Sequence, residues 1–163
     1  MLQVLSIRLR MPSFLERGFT LLELLVIMSA VAILAAIATQ AYSTYIQKAK
    51  VAIAIVEIRG LEKDIKMFLD DNYRLPMDLN ELGRGSLLDP WGNPYQYLNI
   101  ANGEIKGKGS LRKDRNLVPI NSDYDLYSMG ADGQSLPPLT AKPSQDDIIR
   151  ANNGAYIGLA SLY

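Results

Sequence analysis

The residue types available for chemistry are few. The chain has no His and no Cys among its 163 residues, which removes imidazole bases, thiol nucleophiles, disulfides and the usual zinc or iron ligands, and leaves oxygen ligands as the remaining metal chemistry. The informative groups are carboxylates. Glu23 stands alone in an apolar run, and Asp132, Asp146 and Asp147 flank a loop containing Pro137, Pro138 and Pro143. An uncompensated carboxylate in hydrocarbon costs several kcal/mol, so Glu23 must lie near an interface or meet a positive partner. The three aspartates and nearby carbonyls offer the hard oxygens that calcium takes at about 2.3 to 2.6 Å. Alternatively, Asp132 belongs to a plain turn, and Asp146 and Asp147 cap a short C-terminal helix. No nucleophile and base motif accompanies either group, which argues against an enzyme.

The segment that positions Glu23 reads as a membrane element. Residues 1–18 hold Arg8, Arg10 and Arg17 against Glu16, and the 20 residues from Phe19 to Ala38 contain Glu23 as their single charge. That run is long enough to cross roughly 30 Å of hydrocarbon. Basic residues before it predict that the leader stays in the cytoplasm and the rest faces out. The competing reading is a secretory signal cleaved at an A-x-A site formed by Ala36 and Ala38; a carboxylate in the apolar region and a helical pattern that continues past the site both speak against it.

Beyond Ala38 the pattern becomes amphipathic. Val51, Ile55, Ile58, Ile65 and Phe68 share one face, while Glu57, Arg59, Lys63, Asp64 and Lys66 occupy the others. Tyr42, Tyr45, Gln47, Lys48 and Lys50 mark the passage from lipid to water. One helix from about Phe19 to about Asp71, on the order of 80 Å long, is therefore expected, ending at Asn72 and Pro76. Gly60 interrupts its middle, with close packing the simplest explanation.

The stretch "RGFTLLELLVIMSAVAILAAIA" resembles the class III signal of type IV pilins and pseudopilins: a basic leader ending in Gly18, then Phe19, Thr20, an apolar pair and Glu23. The resemblance implies cleavage by a prepilin peptidase between Gly18 and Phe19, N-methylation of Phe19, and use of Glu23 in filament assembly. The freed amine of Phe19 in one subunit can then pair with Glu23 of its neighbour, where low dielectric strengthens the attraction. The helix macrodipole adds to the stabilisation of Glu23. Many members carry a Pro about where Gln40 stands here, so melting of the helix on assembly is less assured in this chain.

The rest predicts a small head. A turn at Asp89 to Pro94 leads into the strand Tyr95 to Ile100, then a turn at Asn102-Gly103 leads into Glu104 to Lys106; a further strand, Tyr124 to Met129, ends in a Gly130 to Gly133 turn. The expected fold is α+β: a long N-terminal helix, membrane-embedded in its first half, packed by its second on a small antiparallel sheet. Residues 1–18 form the leader, 19–71 the helix and 72–163 the head. Trp91, Tyr95, Tyr97 and Tyr127 are expected in the core and sheet, and the basic run from Lys106 to Arg115 in a solvated loop. With 17 basic and 17 acidic residues, no nucleic-acid footprint is indicated.

"DPWGNPYQYLN" and "YSMGADGQ" resemble the head of the major pseudopilin of type II secretion systems. That resemblance implies a structural subunit of a periplasmic fibre that helps export folded proteins. Its implied partners are further copies of itself, the prepilin peptidase, an inner-membrane assembly platform and minor pseudopilins; its location is the bacterial inner membrane, with the head in the periplasm. It also implies calcium, with Asp132, Asp146 and Asp147 as side-chain ligands and the Met129 carbonyl as a fourth. The loop here is longer than the family's and reads Asp-Asp where Asp-Ala-Asp is commoner. A type IV pilin or minor pilin-like subunit of another filament system, serving adhesion, motility or DNA uptake, is the alternative.

Overall fold

The computed structural model describes residues 18–101 and 109–163. The expectations for the basic leader, and for the turn at Asn102-Gly103 leading into Glu104 to Lys106, concern residues outside that range. Helix α1 spans Leu21–Asn72 and runs without a break through Ala36, Ala38 and Gln40. It is followed by strands β1 (Gln96–Asn99), β2 (Tyr124–Ser128), β3 (Ile148–Ala151) and β4 (Tyr156–Leu159). The strands form one antiparallel sheet in the order β1-β2-β3-β4.

Two compact units divide the chain, one ending at Tyr42 and the other comprising Ser43–Tyr163. In the first, the helix exposes its apolar side chains all round, among them Leu21, Leu25, Val31, Leu34 and Ile37. Its length and composition suffice to cross a membrane. The Ser29 hydroxyl donates to the Val26 carbonyl at 2.8 Å and that of Thr39 to the Ala35 carbonyl at 2.8 Å. Both are thereby satisfied within the helix, as an apolar environment requires.

The second unit has its core where the helix meets the sheet. Ala54, Ile58, Leu61 and Ile65, at helical steps of four, three and four, are buried. They cluster with Leu75, Leu79, Tyr95, Tyr124, Leu126, Ile148 and Ile157. Val51 and Ile55 pack at the margin of that cluster, and the fully buried Ala54 and Leu61 fill the stripe. Gly60 is not explained by close packing: it is exposed, and nothing lies within 4 Å of the place a Cβ would occupy. The helix ends because Tyr73 adopts the left-handed conformation (φ 56°) and donates its N–H to the Leu69 carbonyl at 2.8 Å.

A smaller cluster, Ile120, Leu139, Ile149, Ala151 and Ala160, lies apart from that core. Alternation along β3 separates the two, since Ile148 joins the first cluster and Ile149 the second. Strands β3 and β4 stand where Asp146 and Asp147 were expected to cap a C-terminal helix. The run Asp-Asp-Ile-Ile-Arg-Ala instead enters a central strand, and the β-branched isoleucines favour that state.

Arg150 joins helix to sheet. Its guanidinium meets Glu62 at 2.9 Å and Asp123 at 2.7 Å, donates to the Tyr124 carbonyl at 3.2 Å and lies 3.9 Å from the centroid of the Tyr124 ring. Replacing Arg150 by Met, which keeps much of the volume but strands both carboxylates, should cost about 2 kcal/mol, below the range for fully buried pairs because Glu62 and Asp123 are part-exposed. Urea denaturation of the full chain in detergent, followed by Trp91 fluorescence, measures it.

Candidate functional site

At the start of α1, Thr20 precedes the first helical residue and Glu23 follows it by three positions. The Thr20 backbone N–H and hydroxyl both donate to Glu23 Oε2 at 3.2 Å, and the Glu23 N–H donates to Thr20 Oγ1 at 3.2 Å. This is a reciprocal capping box: each side chain satisfies a backbone donor that the helix leaves unpaired. The signature Thr-x-x-Glu was present in the sequence and would have identified it. Glu23 is thus fixed at the positive end of the helix dipole, and the bonds from Thr20 go to one of its two oxygens. Phe19 is 72% exposed and Gly18 is exposed, with nothing among the described residues within 4 Å of an added Cβ.

In the head, the two motif turns are stitched together. Asp89 accepts the N–H groups of Trp91 at 3.0 Å and Asn93 at 2.8 Å through Oδ1, and the Ser128 hydroxyl at 2.5 Å through Oδ2. Asn93 in turn donates to the Gly130 carbonyl at 3.0 Å. Gly130 requires its identity, since its φ is 64° and a Cβ would collide with the Asp146 carbonyl. Trp91 and Tyr97 are half-buried and edge the first core cluster, Tyr95 is buried in it, and Tyr127 flanks the second. The Trp91 indole donates to Gln47 at 3.0 Å and the Tyr95 hydroxyl to Glu57 at 2.5 Å.

The three aspartates expected to bind calcium are each engaged elsewhere. Asp132 is exposed, and its Oδ1 accepts the Gln134 N–H at 2.8 Å. Asp146 Oδ2 accepts the N–H groups of Ala131 at 2.8 Å and Asp132 at 3.0 Å. Asp147 is fully buried, and its Oδ2 accepts from Arg112 at 2.6 Å and from the Ser135 hydroxyl at 2.6 Å. Among the described residues Asp147 Oδ1 has no hydrogen-bond partner. Among the described residues no three acids group as a metal cage. The one of these carboxylates that is fully buried, Asp147, is already paired with a guanidinium, and calcium takes six to eight oxygens, so these residues as arranged do not fit a calcium site.

Arg112 corrects a second expectation. It belongs to the basic run assigned to a solvated loop, yet it is buried, its charge met by Asp147 and its two terminal nitrogens bonded while Nε has no partner among the described residues. Besides Asp147 it donates to the Leu136 carbonyl at 2.9 Å and to the Ser135 hydroxyl, and its guanidinium carbon lies 4.2 Å from the centroid of the Tyr127 ring. Its backbone N–H donates to Asp125, whose carboxyl burial raises above the ordinary value. Nothing in the spacing of "KGKGSLRKDR" distinguishes Arg112 from its neighbours.

Comparison with known proteins adds the following. Residues 14–39 match the family model described as the prokaryotic N-terminal methylation motif. The chain is 31% identical over 140 residues to the type II secretion system core protein G of Pseudomonas aeruginosa, covering 73% of this chain and 86% of that protein. It is 32% identical over 138 residues to the protein of the same name from Klebsiella pneumoniae, covering 82% and 92% respectively. A fimbrial protein of Neisseria meningitidis is 32% identical over 91 residues, 56% of this chain and 54% of that protein. No solved structure gives a significant match.

Burial pushes the Asp147 carboxyl up to about 6, against the downward pull of the Ser135 hydroxyl and Arg112. Between its ordinary value of 3.8 and about 6, the folded head holds a proton that the unfolded chain releases. This group's contribution to stability is therefore full at the acid end of that window and declines as pH rises through it. Melting wild type and Asp147→Asn in parallel across the window should show wild type losing ground to the variant as pH rises. An unchanging difference would contradict the raised value.

Proposed function

The chain belongs to the type IV pilin and pseudopilin superfamily, and from that membership we propose that it is a structural subunit of a type II secretion pseudopilus. A prepilin peptidase removes the leader after Gly18, Phe19 is N-methylated, and the apolar helices pack into the core of a periplasmic fibre that helps export folded proteins. Before assembly the subunit sits in the bacterial inner membrane with its head in the periplasm. Its partners are further copies of itself, an inner-membrane assembly platform and minor pseudopilins. Its work is mechanical and associative.

The observation that carries this reading is the first helical unit: apolar side chains exposed all round, with Glu23 as the single charge from Phe19 to Ala38. Such a surface is stable only in lipid or against other helices. A carboxylate there selects neighbours that present a cation. The amine of Phe19 freed by cleavage is such a cation, and the Glu23 oxygen not taken by Thr20 is available to it. Among the described residues nothing lies within 4 Å of a Cβ added at Gly18, which fits a requirement imposed from outside, by the active site of the processing peptidase. The similarity to a meningococcal fimbrial protein supports a second reading, a pilus subunit, which shares every step above except the export role.

Mass spectrometry of the mature protein should find Phe19, methylated, at its N-terminus; a chain beginning at Thr39 would contradict the proposal. A bulky residue at position 18 should leave the leader attached. Glu23→Ala should be inserted and cleaved normally, while sheared-fibre yield falls at least about tenfold, the equivalent of ~1.4 kcal/mol in subunit affinity. Glu23→Asp should retain part of that yield, and a normal yield from Glu23→Ala would remove the charge pair from the mechanism. Loss of secretion with the fibre distinguishes the secretion reading from a pilus role.

A further inference from the structure

The segment from Gly130 to Asp147 must be held against the sheet by something other than its own secondary structure. It carries Pro137, Pro138 and Pro143, and its one helical element is the short 3-10 turn Lys142–Ser144. What holds it is concentrated at one place. The Ser135 hydroxyl, the Leu136 carbonyl and Asp147 Oδ2 all turn toward a single guanidinium, that of Arg112. A carboxylate, a carbonyl and a hydroxyl are the donor set of a hard-cation cage, and here the cation at its centre is a side chain. The Tyr127 ring lies within cation–π range of it.

The neighbouring backbone reinforces the arrangement. The Lys113 N–H donates to the Pro137 carbonyl at 3.0 Å and the Leu139 N–H to the Lys113 carbonyl at 2.9 Å. The Ser144 hydroxyl accepts the Leu136 N–H at 2.8 Å and donates to the Leu136 carbonyl at 2.7 Å. Asp146, the carboxylate nearest in sequence, is turned away to the N–H groups of Ala131 and Asp132. A divalent ion entering the cage would meet a fixed positive charge in a buried setting, and among the described residues it would find one buried side-chain oxygen without a partner, Asp147 Oδ1. Arg112 itself is 3% exposed, so it cannot swing out to make room without unpacking the segment.

We infer that Arg112 is the resident cation of the head: its guanidinium closes the Gly130 to Asp147 segment onto the sheet in the role a bound calcium ion would otherwise fill, so the head is metal-independent. The inference concerns the head alone and stands whether the filament is a pseudopilus or a pilus.

The test uses the mature full chain in detergent micelles, with calcium chloride alone as the probe ion. Melting is followed by Trp91 fluorescence with excess EGTA and with calcium at millimolar concentration. Wild type should melt at the same temperature in both. A bound ion at about 100 times its dissociation constant would raise the melting temperature on the order of 10 °C, and a rise of that size overturns the inference. Hydrogen exchange supplies the second arm. In Arg112→Gln the amides of Leu136 and Leu139 should exchange at least about tenfold faster, with or without calcium, as the segment opens locally. Unchanged protection in a folded Arg112→Gln head also overturns it, and if that variant does not fold, the wild-type comparison decides alone.

Discussion

A carboxylate set into an apolar helix must be met by donors or by positive charge wherever water is excluded. The capping box between Thr20 and Glu23 meets part of the need within the chain and places the carboxylate at the helix end, where the dipole favours it. It offers hydrogen bonds but no countercharge. A full positive charge has to come from outside the helix, and on the proposed function the N-terminal amine of a neighbouring processed subunit would supply it. One interaction would then do two things: favour packed helices over isolated ones, and set their axial offset.

The head solves a related problem with arginine. Arg150 and Arg112 each lie over a tyrosine of β2, Tyr124 and Tyr127 respectively, which stand three positions apart in the strand so that their side chains take opposite faces of the sheet. On one face Arg150 ties α1 to β2 and β3 through Glu62 and Asp123. On the other Arg112 ties a proline-rich segment to the sheet through Asp147. A planar guanidinium suits both places, because it can stack on a ring while its edge serves several oxygens. Asp89 and Asn93 complete the head by joining the turn before β1 to the turn after β2.

What could be read from the sequence follows the physics of each element. The long helix was legible because its signals are local: an apolar run, then a stripe at helical spacing, then Asn72 and Pro76. Strands β1 and β2 were legible from their aromatic alternation and flanking turns. Strands β3 and β4 were not, because Ile148–Ala151 and Tyr156–Leu159 are four residues each and are defined by pairing with partners distant in the chain. The same limit applies to Arg112 and Asp147. They stand 35 positions apart, and only the folded sheet turns an ordinary basic residue and an expected metal ligand into a buried ion pair. The capping box, by contrast, was written within four consecutive residues, Thr20 to Glu23.

The most direct test of the central pairing is a distance in assembled fibres. Fibres are grown from an equal mixture of subunits labelled with nitrogen-15 at the Phe19 amine and subunits labelled with carbon-13 at the Glu23 carboxyl. Magic-angle-spinning dipolar recoupling between the two labels reports contacts between subunits alone. The result expected is a separation of about 4 Å, that of a salt bridge. Full dephasing in doubly labelled subunits diluted into unlabelled ones, with none in the mixed fibres, would place the amine against its own Glu23 and contradict assembly through the charge pair.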